Sequence, residues 1–441
     1  MRVTRLALPI LLVLASIALL TEPAHAAAGD LDPTFGDGGK LWTIQIGLDF
    51  LRAGQDVALQ QDGKIVEVGT ASSSQGDEWY FALVRYNTNG SVDNGFGHGG
   101  GVVSDFGQPS FARAVAIQPD GKILAGGDSP CPRTSCFTVA RYNSDGSPDA
   151  GFGTGGVVRT KFNLCGCEVD DLAIQADGKI VAVGWQFIGG DGNDDTVFGI
   201  ARYNPDGSLD QGFGTLGKVS LNFGYGLDLA WGVAIQADQK IVVAGEGAVN
   251  FYRTGSDFAV ARLNTNGTLD TSFSGDGMKT INLKGTRWDR AGGVAIQPDG
   301  KIVMAGSSYA DFAATDPRFV AARLNSDGSR DFGFGRAGRV VTAVGGFGGY
   351  AQAVAMYPSG KILVAGRSFA DALQDSSDFV VVRYTSDGKQ DPTWGSNGVV
   401  VTSFGSGADV ANSLAVQSDG KVVAAGEVYT YFGLARYLGD A

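Results

Sequence analysis

The chain repeats itself. The phrase Val294-Ala295-Ile296-Gln297-Pro298-Asp299-Gly300-Lys301-Ile302-Val303-Met304-Ala305-Gly306 sets two short apolar runs around a Pro-Asp-Gly turn, the composition of a tight β-hairpin. Asp tolerates the left-handed backbone such a reversal needs, and Gly adopts it freely. The turn lysine recurs as Lys64, Lys122, Lys179, Lys240, Lys301, Lys361 and Lys421, at spacings of 58, 57, 61, 61, 60 and 60 residues. Seven copies of one module therefore span nearly everything after the first 26 residues. Such a chain folds as repeated supersecondary units, each leaning on its neighbours.

Aligned on that lysine, each copy holds four strand-like runs, here called a to d; in the first copy they are 40–44, 56–60, 65–69 and 81–86. No copy carries a helical apolar period that competes with this reading. Run b holds a small residue throughout: Ala58, Ala116, Ala173, Ala234, Ala295, Ala355 and Ala415. Run c ends in Gly69, Gly127, Gly184, Gly245, Gly306, Gly366 and Gly426, and run d opens on Phe81, Phe137, Phe198, Phe258, Phe319, Phe379 and Phe432. Four residues beyond each Phe stands Arg85, Arg141, Arg202, Arg262, Arg323, Arg383 or Arg436. A second turn leads into a D-x-x-F-G-x-x-G phrase whose Asp is Asp32, Asp93, Asp149, Asp210, Asp270, Asp331 or Asp391. A catalytic centre needs one asymmetric constellation, so seven equivalent Asp and seven equivalent Arg predict repeated structural ion pairs.

Four short antiparallel strands at a fixed period predict an all-β fold, a seven-bladed β-propeller of four-stranded antiparallel blades, with residues 27–441 as one domain. A sheet this small cannot bury both faces alone, and radial neighbours cover it. A stacked solenoid is the competing architecture. The chain ends favour the ring: 436–440 stop inside a d-to-a junction that 29–32 resume, so the N-terminal strand is expected to close the ring by pairing with the C-terminal blade. The small Ala residues place run b nearest the axis.

Residues 1–26 read as a signal peptide. Arg2 and Arg5 precede an apolar run over 6–20, and Ala24-His25-Ala26 is a small-residue cleavage site. Its removal takes two Arg and one Glu from a chain of net charge −12 and leaves −13. That acidity argues against nucleic acid and anionic membrane surfaces as partners. It fits a secreted, periplasmic or cell-surface protein with no membrane span after cleavage. Of two histidines, only His98 remains, which excludes multi-histidine metal sites.

The phrases "DGKIVVAG", "FAVARYNxDGSLD" and "LDxxFGxxG" resemble the delta-60 repeat family of bacterial β-propeller-like proteins, over about residues 30–437. The resemblance implies the fold and an exported bacterial setting, and carries over no catalytic residues. Asp238-Gln239-Lys240, Ser359-Gly360-Lys361 and Phe273-Ser274 depart from the phrases and read as tolerated turn variants.

Loop lengths separate the two rims. From each run-d Arg to the next b–c turn is 35–37 residues, whereas from that turn to the following Arg is 17–25, so the c–d loops vary most. Variable loops on a rigid scaffold mark the expected binding face. Its candidate residues are the aromatics Trp79, Tyr80, Trp185, Phe187, Phe251, Tyr252, Tyr309 and Tyr429, whose apolar faces and polar edges suit sugars. No catalytic residue, metal ligand or cofactor is assigned. The loop 191–195 has alternating oxygen donors that Ca²⁺ favours, but it lacks the EF-hand pattern and reads as a polar hairpin tip. Cys131, Cys136, Cys165 and Cys167 fall on neighbouring loops of one rim; four thiolates suit zinc, yet export favours two disulfides, local or between the loops. The expected function is a binding or scaffold module for an extracellular or cell-surface glycan, peptide or protein. The alternative is a hydrolase or lyase with a cation-assisted site in the central channel.

Overall fold

The computed structural model describes residues 27–440, apart from 48, 74, 75, 77, 133, 163–165, 190–194, 225, 251–254, 284–287, 310–315 and 372. The signal segment, Cys165, Phe251 and Tyr252, and most of the 191–195 loop thus lie outside the described residues. Among those described, all regular structure is strand. Each repeat supplies runs b, c and d of one antiparallel sheet, and run a of the following repeat adds the fourth strand. The inner strands are Asp49–Leu59, Phe111–Ile117, Cys167–Ile174, Leu229–Ile235, Trp288–Ile296, Gly349–Met356 and Asp409–Val416. All seven line a single central channel. The outer strand of the last sheet is Lys40–Thr43, antiparallel to Tyr431–Tyr437, with Lys40 opposite Ala435 and Thr43 opposite Phe432.

Burial follows from this arrangement. Run c sits between two neighbouring blades, so Ile65–Ser72 is buried along its whole length. The seven run-d phenylalanines are fully buried in the gaps between sheets. One apolar cluster fills each gap; that between the last blade and the first joins Val423, Phe432 and Leu434 to Phe35, Leu51 and Val84.

The repeated polar residues meet in one knot per blade. Asp270 accepts from Arg262 Nε at 2.7 Å and lies 3.0 Å from Lys240 Nζ. The Arg262 guanidinium stacks 4.9 Å from the Phe273 ring centre and donates to the Ser326 carbonyl in the next repeat. One residue thus ties a turn, a strand and the adjoining blade. The knot of the last blade is built from both chain ends: Arg436 is 2.8 Å and Lys421 3.3 Å from Asp32, while Arg436 stacks on Phe35 and donates to the Thr88 carbonyl. Ions this buried persist because each is paired and hydrogen-bonded.

A second contact links each blade to the one before it. The Tyr ending run d reaches a hydroxyl on the preceding outer strand: Tyr86 to Thr43 at 3.0 Å, Tyr142 to Ser104 at 2.8 Å, Tyr203 to Thr160 at 2.8 Å, Tyr384 to Thr342 at 2.6 Å and Tyr437 to Thr402 at 2.9 Å. Where run d ends in Leu263 or Leu324, the facing residue is Leu221 or Ile281, in the same apolar clusters. Both turn variants keep the glycine backbone: Gln239 has φ 66° and Ser274 φ 55°.

The cysteines only partly follow expectation. Cys131 and Cys136 form a disulfide across the tip of the second c–d hairpin. Cys167 is unpaired and buried at the start of an inner strand, its sulfur 3.6 Å from the Ser135 carbonyl oxygen and 3.8 Å from that of Thr160. No second bridge is seen among the described residues, which leave out Cys165; the Cys167 side chain packs into the blade, and burial pushes its thiol up to about 11. Oxidation is expected to lower the intact mass by about 2 Da, one S–S bond, instead of about 4 Da. Cys167 should resist alkylation until the chain is denatured; rapid labelling in native buffer would contradict this placement.

Candidate functional site

The blades differ where they approach the axis. Each inner strand carries a β-bulge, between Gly54 and Asp56, Ala112 and Ala114, Val169 and Asp171, Ala230 and Gly232, Ala291 and Gly293, Ala351 and Ala353, and Ala411 and Ser413. A bulge leaves one residue outside the ladder and re-aims it. The freed residues are Gln55, Arg113, Asp170, Trp231, Gly292, Gln352 and Asn412, and all seven line the channel, a cavity of about 370 Å³. The same bend explains the glycine ending run c. A Cβ on Gly306 would lie 1.9 Å from the Arg290 carbonyl oxygen, and one on Gly245 1.9 Å from that of Leu229.

Two tiers follow along the channel. Toward the conserved-length turns, carboxylates clamp the blades. Asp56 accepts from Val57 N at 2.8 Å, from Val115 N of the next blade at 2.7 Å and from Ser413 Oγ of the last blade at 2.5 Å. Asp171 likewise accepts from Val233 N at 2.8 Å.

Toward the variable rim the polar groups are less completely satisfied. Arg113 Nη2 donates to Glu168 Oε2 at 3.0 Å, and its Nε lies 3.8 Å from Asp128 Oδ1. Trp185 Nε1 donates to the other Glu168 oxygen at 2.7 Å. Burial and the Glu168 charge push the Asp170 carboxyl well above its ordinary range, against the pull of Arg113 and Arg290. Burial and Glu168 likewise raise Asp128 to about 7. Across the mouth, Arg290 lies 3.7 Å from the Trp231 ring centre, and Trp231 Nε1 donates to Glu246 at 3.4 Å. Arg113 Nε, Asp128 Oδ1, Asp170 Oδ2, Arg290 Nε and Arg367 Nε are buried atoms with no hydrogen bond among the described residues.

The structure gathers some of the expected aromatics here. Trp185 packs edge-on against Phe187 at 5.0 Å, and Tyr309 against Tyr350 at 5.8 Å. Others have local partners: Trp79 packs on Phe111 of the next blade at 6.1 Å, and the Tyr80 hydroxyl donates to Glu78 at 2.5 Å. Tyr429 is exposed, with φ 59°. Residue-type reasoning expected no singular ionisable cluster, and the Arg113–Asp128–Glu168–Asp170 group corrects that. For Arg113 and Asp170 the one signal was a position three before the repeat Ala that varies freely in chemistry from copy to copy. Among the described residues no three His, Cys, Asp or Glu side chains converge as metal ligands would, and no helix is long and apolar enough to cross a membrane.

A family described as a domain of unknown function, DUF5122 β-propeller, matches residues 60–96, 118–152, 175–213, 236–273, 297–334, 358–393 and 417–440. No curated protein matches. Among solved structures, the WD40 β-propeller domain of Doa1 is similar at 12% identity and TM-score 0.47, covering 91% of this chain and 97% of that one. The polysaccharide lyase Uly1 is similar at 12% identity and TM-score 0.49, covering 88% and 90%. A protein of unknown function from Dyadobacter fermentans gives 12% and 0.44, covering 91% and 100%.

Proposed function

We propose, for a chain that belongs to the DUF5122 β-propeller family, a role as an exported binding module that takes a glycan at the variable-rim mouth of its channel. One observation carries this reading: the blades repeat the Lys, Arg and Asp of the knots, yet place seven axial residues of mixed chemistry around one opening. Half-buried rings beside carboxylates and guanidinium groups suit the apolar face and hydroxyl edge of a sugar. The Cys131–Cys136 bridge supports residence in an oxidising compartment after cleavage of residues 1–26. The pairing of Lys40–Thr43 with Tyr431–Tyr437 supports a ring held shut by its two ends.

Screening residues 27–441 on an array of neutral and acidic glycans tests this. Binding to at least one class is expected, and Trp185→Ala should weaken it about tenfold, a loss of about 1.4 kcal/mol, with little change in melting temperature. Silence across the whole array would end the glycan reading. A second reading, hydrolysis or elimination within the channel, is favoured by the raised carboxyl of Asp170 beside Glu168 and Arg113. A carboxyl raised by burial beside a second acid suits acid–base chemistry, and release of shortened oligosaccharides from a bound glycan would distinguish it.

A further inference from the structure

Arg290, which lines the channel, and Arg367 of the neighbouring blade stand within electrostatic reach of each other and have no carboxylate at ion-pair distance among the described residues. Arg290 projects from the inner strand Trp288–Ile296, and Arg367 from the neighbouring blade's second strand Ile362–Phe369, directly opposite Tyr350 in register. Neither makes an ion pair or a hydrogen bond among the described residues, and the Nε of each is buried and unpartnered. The knot arginines, by contrast, each have an Asp within 3 Å. The nearby acids act on them only beyond ion-pair distance, Asp170 and Glu246 on Arg290 and Glu427 on Arg367. Glu246 receives Trp231 Nε1 at 3.4 Å and Ser256 Oγ at 3.0 Å, and Glu427 forms no ion pair with Arg367.

Rings cover the faces of both guanidinium groups and leave their edges. Trp231 lies 3.7 Å from Arg290, and Arg367 sits 5.3 Å from the centre of Tyr350 and 5.2 Å from that of Phe369. Tyr309, Tyr350 and Phe369 continue as an edge-to-face chain at 5.8 and 5.5 Å between the two blades. A stacked guanidinium presents its N–H donors along its rim, in a fork that meets two oxygens of a carboxylate or sulfate. Half-buried cations that make no close ion pair also bear a desolvation cost that an incoming anion relieves.

We infer that Arg290 and Arg367 form an oxyanion subsite that takes the carboxylate or sulfate group of an acidic glycan, with Tyr309 and Tyr350 flanking the sugar ring. The inference rests on the glycan-binding reading and narrows its ligand. A net charge of −12 repels polyanions at long range, so capture must come from this local pair at contact distance.

Calorimetric titration of residues 27–441 in 150 mM NaCl tests it with three probes: oligogalacturonate, sulfated dextran oligosaccharide, and unmodified dextran oligosaccharide. At least one acidic probe should bind ten or more times tighter than the neutral one. Whichever of the two binds tighter assigns carboxylate or sulfate. The double variant Arg290→Gln, Arg367→Gln should erase the preference. Equal affinity for acidic and neutral probes in the parent protein would overturn the subsite and leave the glycan reading standing, without recourse to a variant. Retained preference in a folded double variant would also overturn it. No binding to any probe, together with a silent array, would bring down both.

Discussion

A chain lacking residues 27–46 is expected to aggregate, or to melt far below the parent protein. Its loss uncovers Tyr431–Tyr437 as an unpaired edge strand with main-chain donors and acceptors exposed. It also removes Asp32, leaving Arg436, 4% exposed, without its counter-ion. Stripping one partner from a buried pair costs about 3–5 kcal/mol. Phe35 and the Thr43 hydroxyl facing Tyr86 go with it. Asp32→Ala should reproduce the ionic part of the loss alone. Scanning calorimetry and size-exclusion chromatography read both effects; an unchanged melting temperature would mean that other contacts close the ring.

Stability is expected to peak near pH 4 and to fall on both sides. On the acid side, burial opposes ionisation of the knot aspartates, but hydrogen bonds and cations outweigh it. Asp32 is held at about 2 by Thr34, Arg436 and Lys421, and Asp391 at about 2 by Thr393, Lys361 and Arg383. Asp93, Asp149, Asp210, Asp270 and Asp331 are depressed as well. The unfolded chain takes up protons first, at about pH 4, so this stabilisation is present above that value and is lost as pH falls toward 2. On the alkaline side the sign reverses. Burial raises Asp128, Asp171 and Asp228 to about 7 each, with Glu168, Asp56 and Asp195 adding repulsion in turn. The folded chain then holds protons that the unfolded chain has released, so stability declines between about pH 4 and 7. Melting temperatures from pH 2 to 8 check the profile; a plateau up to pH 8 would refute the upper limb.

The fold was legible because its determinants recur in register. Seven equivalent Phe, Arg, Asp and Lys stand at fixed offsets, and each must meet the same neighbour in every blade. Their convergence into one knot was not legible, since Lys240, Arg262 and Asp270 lie 22 and 8 residues apart and only the folded sheet brings them together. The glycine closing run c was visible, while its cause was hidden: the opposing carbonyl is pushed onto it by a bulge, and a bulge leaves no composition of its own. The axial residues were harder still. Arg113, Asp170 and Trp231 occupy equivalent positions of three repeats and share no chemistry, so alignment presents them as noise. Arg290 and Arg367 belong to different strands, and only the packing of adjacent blades brings them within electrostatic reach of each other.

The matching of Tyr with Thr or Ser in five gaps, and of Leu with Leu or Ile in two, means that the repeats are not interchangeable parts. During folding, a sheet that docks on the wrong predecessor can set a buried tyrosine hydroxyl against Leu221 or Ile281, or leave a threonine hydroxyl facing Leu263. Each such error costs about 1–3 kcal/mol for the unsatisfied group. Near-identical sheets would otherwise compete for every gap in the ring. The code gives the fourth and fifth blades addresses of their own, and so pins the register of an almost symmetric ring at that point.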